Sequence, residues 1–168
     1  PAALTEIGVS AFNGCSAMAC DVNIPDGVTV IPDGAFDQSG ITGITLGKNV
    51  KTVGRKAFYN CQNILSITLN EGLTEIGEMG FFNCSKIKEL ELPASLTTMG
   101  SNAFWNIGIK VVCHSAAPLT LPKSTTYSYQ FKKCTVIVPV GSVAAYVAAT
   151  DKGWDESNTY LCRIGRRS

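Results

Sequence analysis

Histidine is almost missing from this chain of 168 residues: His114 is the only one. A zinc site or a histidine-assisted nucleophile therefore has little to draw on. The seven cysteines do not compensate, because no two form a CxxC pair. Charge of either sign is also scarce in excess. Fourteen basic against thirteen acidic residues leave a net charge of +1, too little to attract nucleic acid or a membrane surface. No apolar run approaches the ~20 residues that span a bilayer, so no membrane insertion is expected. The glycines recur periodically in turns, and none forms a phosphate loop behind a strand. A signal-peptide pattern is lacking too. The abrupt opening suggests a mature form or an excised fragment and does not argue for the cytoplasm. Arg163, Arg166 and Arg167 gather only at the very end, where they read as a frayed tail. Serines and cysteines near His114 have no catalytic pattern, and no cofactor motif is present. The expectation is a non-enzyme without metal or cofactor.

What the chain has is a phenylalanine that returns at nearly constant spacing. Phe12, Phe36, Phe58, Phe81 and Phe104 are separated by 24, 22, 23 and 23 residues, a period typical of stacked supersecondary units. Five units open at Leu4, Val28, Val50, Leu73 and Leu96. Two of them superpose without a gap: Val50, Val53, Phe58, Cys61, Ile64, Ile67 and Leu69 fall on Leu73, Ile76, Phe81, Cys84, Ile87, Leu90 and Leu92. Val22-Asn-Ile24, Ile44-Thr-Leu46, Ile67-Thr-Leu69 and Leu90-Glu-Leu92 alternate strictly, so each is expected to be a short strand with one buried face. Pro25-Asp-Gly27, Gly47-Lys-Asn49, Asn70-Glu-Gly72 and Pro93-Ala-Ser95 follow as tight turns, since Gly and Asn tolerate positive φ. A short extended stretch comes next. The segment around Ala-Phe is too short for a free-standing helix, and a single helical or 3₁₀ turn is expected there. No unit can bury its own apolar face; five stacked units form one core with a Phe spine.

Cys15, Cys61 and Cys84 lie three residues after the spine Phe, in a slot that also holds Ser39 and Ile107. That slot is expected to be a packing position with reduced, unreactive thiols. Cys20, Cys113, Cys134 and Cys162 lie outside it; their pairing stays open, a Cys113–Cys134 bridge included. Asn60, Asn83 and Asn106 precede the slot, and an inward ladder bonding the backbone is expected of them. Gln38 and Gly14 stand at the same place, so the ladder should weaken toward the N-terminus.

Val-Lys-Thr-Val-Gly-Arg-Lys-Ala-Phe-Tyr-Asn-Cys at 50–61 and Leu-Thr-Glu-Ile-Gly-Glu-Met-Gly-Phe-Phe-Asn-Cys at 73–84 closely resemble the BspA-like class of bacterial leucine-rich repeats. The likeness covers residues 4–112. It implies an α/β repeat solenoid, mostly β: a right-handed leucine-rich-repeat stack of about five rungs with short parallel strands and helical turns. Residues 113–168 resemble the C-terminal cap module of such proteins in Bacteroidetes. Cys113–Pro118 stands for its entry, Val136–Ser142 for strand and turn, Ala144-Ala-Tyr146 with Trp154 for the closing helix. His114 replaces the second inward residue of the strand pattern, which suggests that the repeat proper stops there. The expected domains are thus 1–112 (repeats) and 113–168 (cap). The resemblance further implies a cell-surface or secreted protein that adheres to a host or matrix protein, a glycan or other cells.

Two surfaces could carry such binding. The residue after the spine Phe is Asn13, Asp37, Tyr59, Phe82 and Trp105 in turn. Three successive rungs thus place Tyr59, Phe82 and Trp105 within stacking distance, a ledge for a sugar or an aromatic side chain if exposed and a second core row if buried. The rival is the outward strand face, concave in a curved solenoid: Asp21, Asn23, Gly43, Thr45, Ser66, Thr68, Glu89 and Glu91. Glu89 and Glu91 on an open sheet stay solvated, without the environment that raises a catalytic carboxyl. A structural spacer or display module of a larger surface protein, with no ligand of its own, is the alternative function.

Overall fold

The computed structural model describes residues 4–108, 110–121, 134–149 and, for the backbone, 159–163. It is a mostly-β parallel solenoid of about five turns. Strands β1 (Asp21–Asn23), β3 (Gly43–Thr45) and β5 (Ser66–Thr68) pair in parallel as one sheet. Beside β5 lies β7 (Glu89–Leu92), and from it the sheet continues through β9 (Lys110–Cys113) and β10 (Cys134–Val138) to β11 (Thr159–Arg163). The expected short extended stretches are strands as well. β2 (Val30–Ile31), β4 (Thr52–Val53), β6 (Glu75–Ile76) and β8 (Thr98–Met99) form a second parallel sheet. In the first row of strands, β1, β3 and β5 lie one residue earlier than the apolar alternation indicated, so Ile24, Leu46 and Leu69 fall just past their ends.

The four tight turns stand where expected, each closed by one bond: Val28 N–H to Pro25, Val50 to Gly47, Leu73 to Asn70 and Leu96 to Pro93, at 3.1–3.2 Å. Their cause is different. No residue of these turns has positive φ. Gly27 is there because a Cβ would stand 2.6 Å from the carbonyl oxygen of Leu4 in the rung above.

The expected helical turn around Ala-Phe is absent, and tandem hydrogen-bonded turns replace it. Two residues per unit adopt the left-handed conformation, one two places before the Phe and one two places after: Lys56 (φ 53) with Asn60 (φ 54), and Met79 (φ 55) with Asn83 (φ 58). A left-handed residue interrupts right-handed winding, so the N–H groups that a helix would consume internally turn along the stack. Phe58 N–H reaches the carbonyl of Gly80 at 2.7 Å, flanked by Lys56 to Glu78 (2.9 Å) and Asn60 to Phe82 (2.8 Å). Phe12, Phe36 and Phe81 repeat the bond to Ala35, Ala57 and Ala103 at 2.7–2.8 Å. Asn60, Asn83 and Asn106 hold these left-handed positions, and their side chains bond one another rather than the backbone: Asn83 Nδ2 to Asn60 Oδ1 (2.8 Å) and Asn106 Nδ2 to Asn83 Oδ1 (2.7 Å).

Rungs locked at this spacing bring the phenylalanines into a column. Neighbouring rings are 4.8–5.2 Å apart between centroids and within 10° of parallel. Such parallel rings contribute roughly 0.5–1.5 kcal/mol per pair beyond the burial itself. Phe36, Phe58, Phe81 and Phe104 are buried, whereas Phe12 keeps 36% of its surface exposed because no described rung covers it.

The slot three residues on is polar as well as packed. Cys61 Sγ donates to the Phe36 carbonyl at 2.9 Å and Cys84 Sγ to that of Phe58 at 3.2 Å, with Ser39 Oγ 3.4 Å from Cys61 Sγ. Cys15, expected in the core, is exposed: among the described residues its rung has a neighbour on one side only. Cys113 and Cys134 are buried thiols, and Cys134 Sγ donates to the carbonyl of Gly108 at 3.1 Å. The register Val136 to Val111 sets them at opposite ends of the β9–β10 pair, which rules out their bridge; the side chain of Cys162 lies outside the described residues.

In the last part of the chain, β10 is followed by a turn at Pro139–Ser142, with Gly141 at φ 86, and by α1 (Val143–Val147). Tyr146 of α1 is buried and donates its hydroxyl to the carbonyl of Ser115 at 3.0 Å. Trp154, Arg166, Arg167 and the side chain of Arg163 lie outside the described residues.

Two outcomes follow from this packing. Phe58→Ala and Phe81→Ala each lower stability by about 3–5 kcal/mol, and Phe12→Ala lowers it by less, in denaturant melts. Thiol labelling of the native protein separates fast Cys15 and Cys20 from slow Cys61, Cys84, Cys113 and Cys134. Burial pushes Cys113 up from 9.0 to about 12 and Cys134 to about 11. The unfolded thiols ionise first as pH rises through 9, so the stability these two contribute is complete below pH 9 and is lost by about pH 12.

Candidate functional site

Alternation along the first row of strands fixes which side chains face solvent. Asp21, Asn23, Thr45, Ser66, Thr68, Glu89 and Glu91 are all exposed. Gly43 is covered: a Cβ there would lie 2.9 Å from Asp21 Oδ1 and 3.0 Å from Ser66 Oγ. Asn23, Thr45 and Thr68 stand opposite one another in register, a polar row with no large side chain. The row ends in charge. Glu89 pairs with Lys110 across β7 and β9 at 2.6 Å, and Glu91 Oε2 meets His114 Nε2 at 3.0 Å.

Lys110 and His114 were not readable as partners of the glutamates. His114 was expected at the second inward position of the strand. The register instead pairs Leu92 with Cys113, so Val111 and Cys113 point inward. The fifth unit is two residues shorter than the fourth between its Phe and its strand, so Lys110 and Val112 lie on the outward side of β9, and His114 follows on that side, against Glu91. A count from Phe104 against the alternation of Lys110 to Cys113 would have found this.

The aromatic column exists, with less open surface than a ledge requires. Tyr59 and Phe82 stack at 5.1 Å and 12°, Phe82 and Trp105 at 4.6 Å and 14°. Phe82 is buried, while Tyr59 and Trp105 are half-buried. The rings turn their faces to one another, and Lys56 Nζ sits 5.1 Å over the Tyr59 ring as a cation–π contact.

No group of three or more His, Cys, Asp or Glu side chains that could hold a metal occurs among the described residues. No helix among them is long and apolar enough to cross a membrane.

The description "BspA type leucine rich repeat region" matches residues 1–110 in six copies. The chain belongs to the BspA-type leucine-rich-repeat family. Solved structures agree with that assignment. A leucine-rich repeat protein from Bacteroides capillosus is 32% identical over 56% of this chain and 76% of its own, with a TM-score of 0.53. One from Bacteroides ovatus is 26% identical over 79% of this chain, with a TM-score of 0.57; the matched part is 34% of that protein. The pneumococcal vaccine antigen PcpA shares the fold at 17% identity, over 88% of this chain and 42% of its own, with a TM-score of 0.61. None of the curated proteins matches this chain. The BspA-type repeats thus form a bacterial binding or repeat module.

Proposed function

We propose that this chain is a non-catalytic binding module of a cell-surface or secreted bacterial protein. It adheres to a host or matrix protein or to a glycan through the outward face of β1, β3, β5 and β7. One observation carries the choice of surface: Asn23, Thr45 and Thr68 are short, exposed and in register, so a partner meets an even row of hydrogen-bonding groups without first displacing a neighbour. The aromatic column of Tyr59, Phe82 and Trp105 is the weaker candidate, since Phe82 is buried and stacks on both neighbours, which leaves less of the column open. Residues 113–168 serve as the cap that covers the last rung, consistent with β10 pairing directly onto β9. A spacer module with no ligand of its own is the competing reading, favoured by the small share of longer relatives that this chain spans.

The test is a binding screen of the intact chain against matrix proteins and a glycan array, followed by variants that leave the melt unchanged. Thr68→Ala is expected to weaken binding of the captured ligand by at least ~1 kcal/mol, with Trp105→Ala near neutral. The reverse order would move the site to the aromatic column, and a screen without a hit would favour the spacer.

A further inference from the structure

Where the repeat sheet runs into β9 and β10, its outward face deepens into a cavity of about 470 Å³, within the range of ordinary ligand sites. Its wall on β7 is Glu89 and Glu91; its floor is Val112 and Ile137; its far rim is Pro139 and Val140. The register sets Glu91, Val112 and Ile137 side by side across three strands. One row therefore runs from carboxylate to apolar surface over two strand spacings, about 10 Å. Val140 at the rim is 78% exposed, an aliphatic side chain with no covering group of its own.

The charge of the cavity has a sign. Two carboxylates face one fixed cation, Lys110, and His114 adds a positive charge only when protonated. Both existing pairs are solvent-exposed, with side chains 37–62% accessible. Exposed pairs contribute little to stability, so an incoming cation can exchange with Lys110 or His114 at small cost. An incoming anion would meet Glu89 and Glu91 first.

We infer that this cavity takes an extended peptide segment of a partner protein in which a Lys or Arg side chain lies two residues from an aliphatic one. The basic group sits between Glu89 and Glu91, and the aliphatic side chain covers Val112, Ile137 and Val140. An extended segment advances about 3.3 Å per residue and residues two apart share a face, so their Cα atoms lie about 7 Å apart and the length of the Lys or Arg side chain covers the remaining distance to the carboxylates. The inference rests on the proposal that the outward sheet face is the docking face, and it names the chemistry of one end of that face.

A phage-displayed random hexapeptide library panned on the intact chain provides the probe. Selected sequences are expected to carry Lys or Arg two positions from Val, Ile or Leu, and a synthetic peptide of that consensus should bind more weakly as salt rises. Glu89→Gln with Glu91→Gln should lower its affinity at least tenfold, and Val140→Ser at least threefold, with unchanged melting. Failure to enrich, enrichment of acidic sequences, or binding indifferent to both variants would overturn the inference. If the chain still binds a matrix protein or glycan in a Thr68-dependent way, the docking face stands and the cavity assignment alone falls.

Discussion

Everything in this fold depends on the rungs being held at one spacing by backbone hydrogen bonds running along the stack. Three columns of such bonds exist: the two rows of strands and the tandem turns that carry the Phe. The turn column is the unusual one. Its donors at Lys56, Phe58 and Asn60 all point to the next rung, at Glu78, Gly80 and Phe82, so a turn behaves there as a strand does. Once the backbone is registered in this way, like residues must stack on like. The Phe rings, the Asn amides and the Tyr59–Phe82–Trp105 rings are consequences of the same constraint. Close approach follows too: a Cβ on Gly77 would lie 2.7 Å from the backbone nitrogen of Arg55, which leaves no room for a side chain at that level.

Much of this was legible in the sequence, because burial leaves a periodic trace. The spine Phe, the outward strand positions and the four tight turns are each marked by residue type at fixed offsets. The tandem turns were not, since left-handed Lys56 and Met79 carry no compositional sign of that conformation; Asn60 and Asn83 do, but they were read as ladder donors to backbone. Cys15 was misplaced because a repeat pattern assigns every rung two neighbours, and the first described rung has one. At the candidate site, Glu89 and Glu91 could be read from alternation alone. Their partners differ: His114 stands at the ordinary 23-residue offset from Glu91, whereas Lys110 lies opposite Glu89 because the fifth unit is two residues shorter than the fourth between its Phe and its strand.

The same regularity shapes the functional reading. A stacked aromatic column offers less to a ligand when its rings pack on one another, whereas the strand face repeats short polar groups that no described residue covers. Regularity breaks at the junction of β7, β9 and β10, and there charge and exposed apolar surface meet in a cavity. Under the proposed function, recognition is expected to be broad along the repeats and chemically selective at their C-terminal end.

The most direct measurement is native-state amide hydrogen exchange at Phe36, Phe58 and Phe81. The account places each of these N–H groups in a bond of 2.7–2.8 Å to the next rung, so each should exchange only through opening of the stack, with protection close to that of the neighbouring strand amides. Fast exchange at these three amides, with the strands still protected, would mean that the turns are not locked rung to rung and would contradict the account.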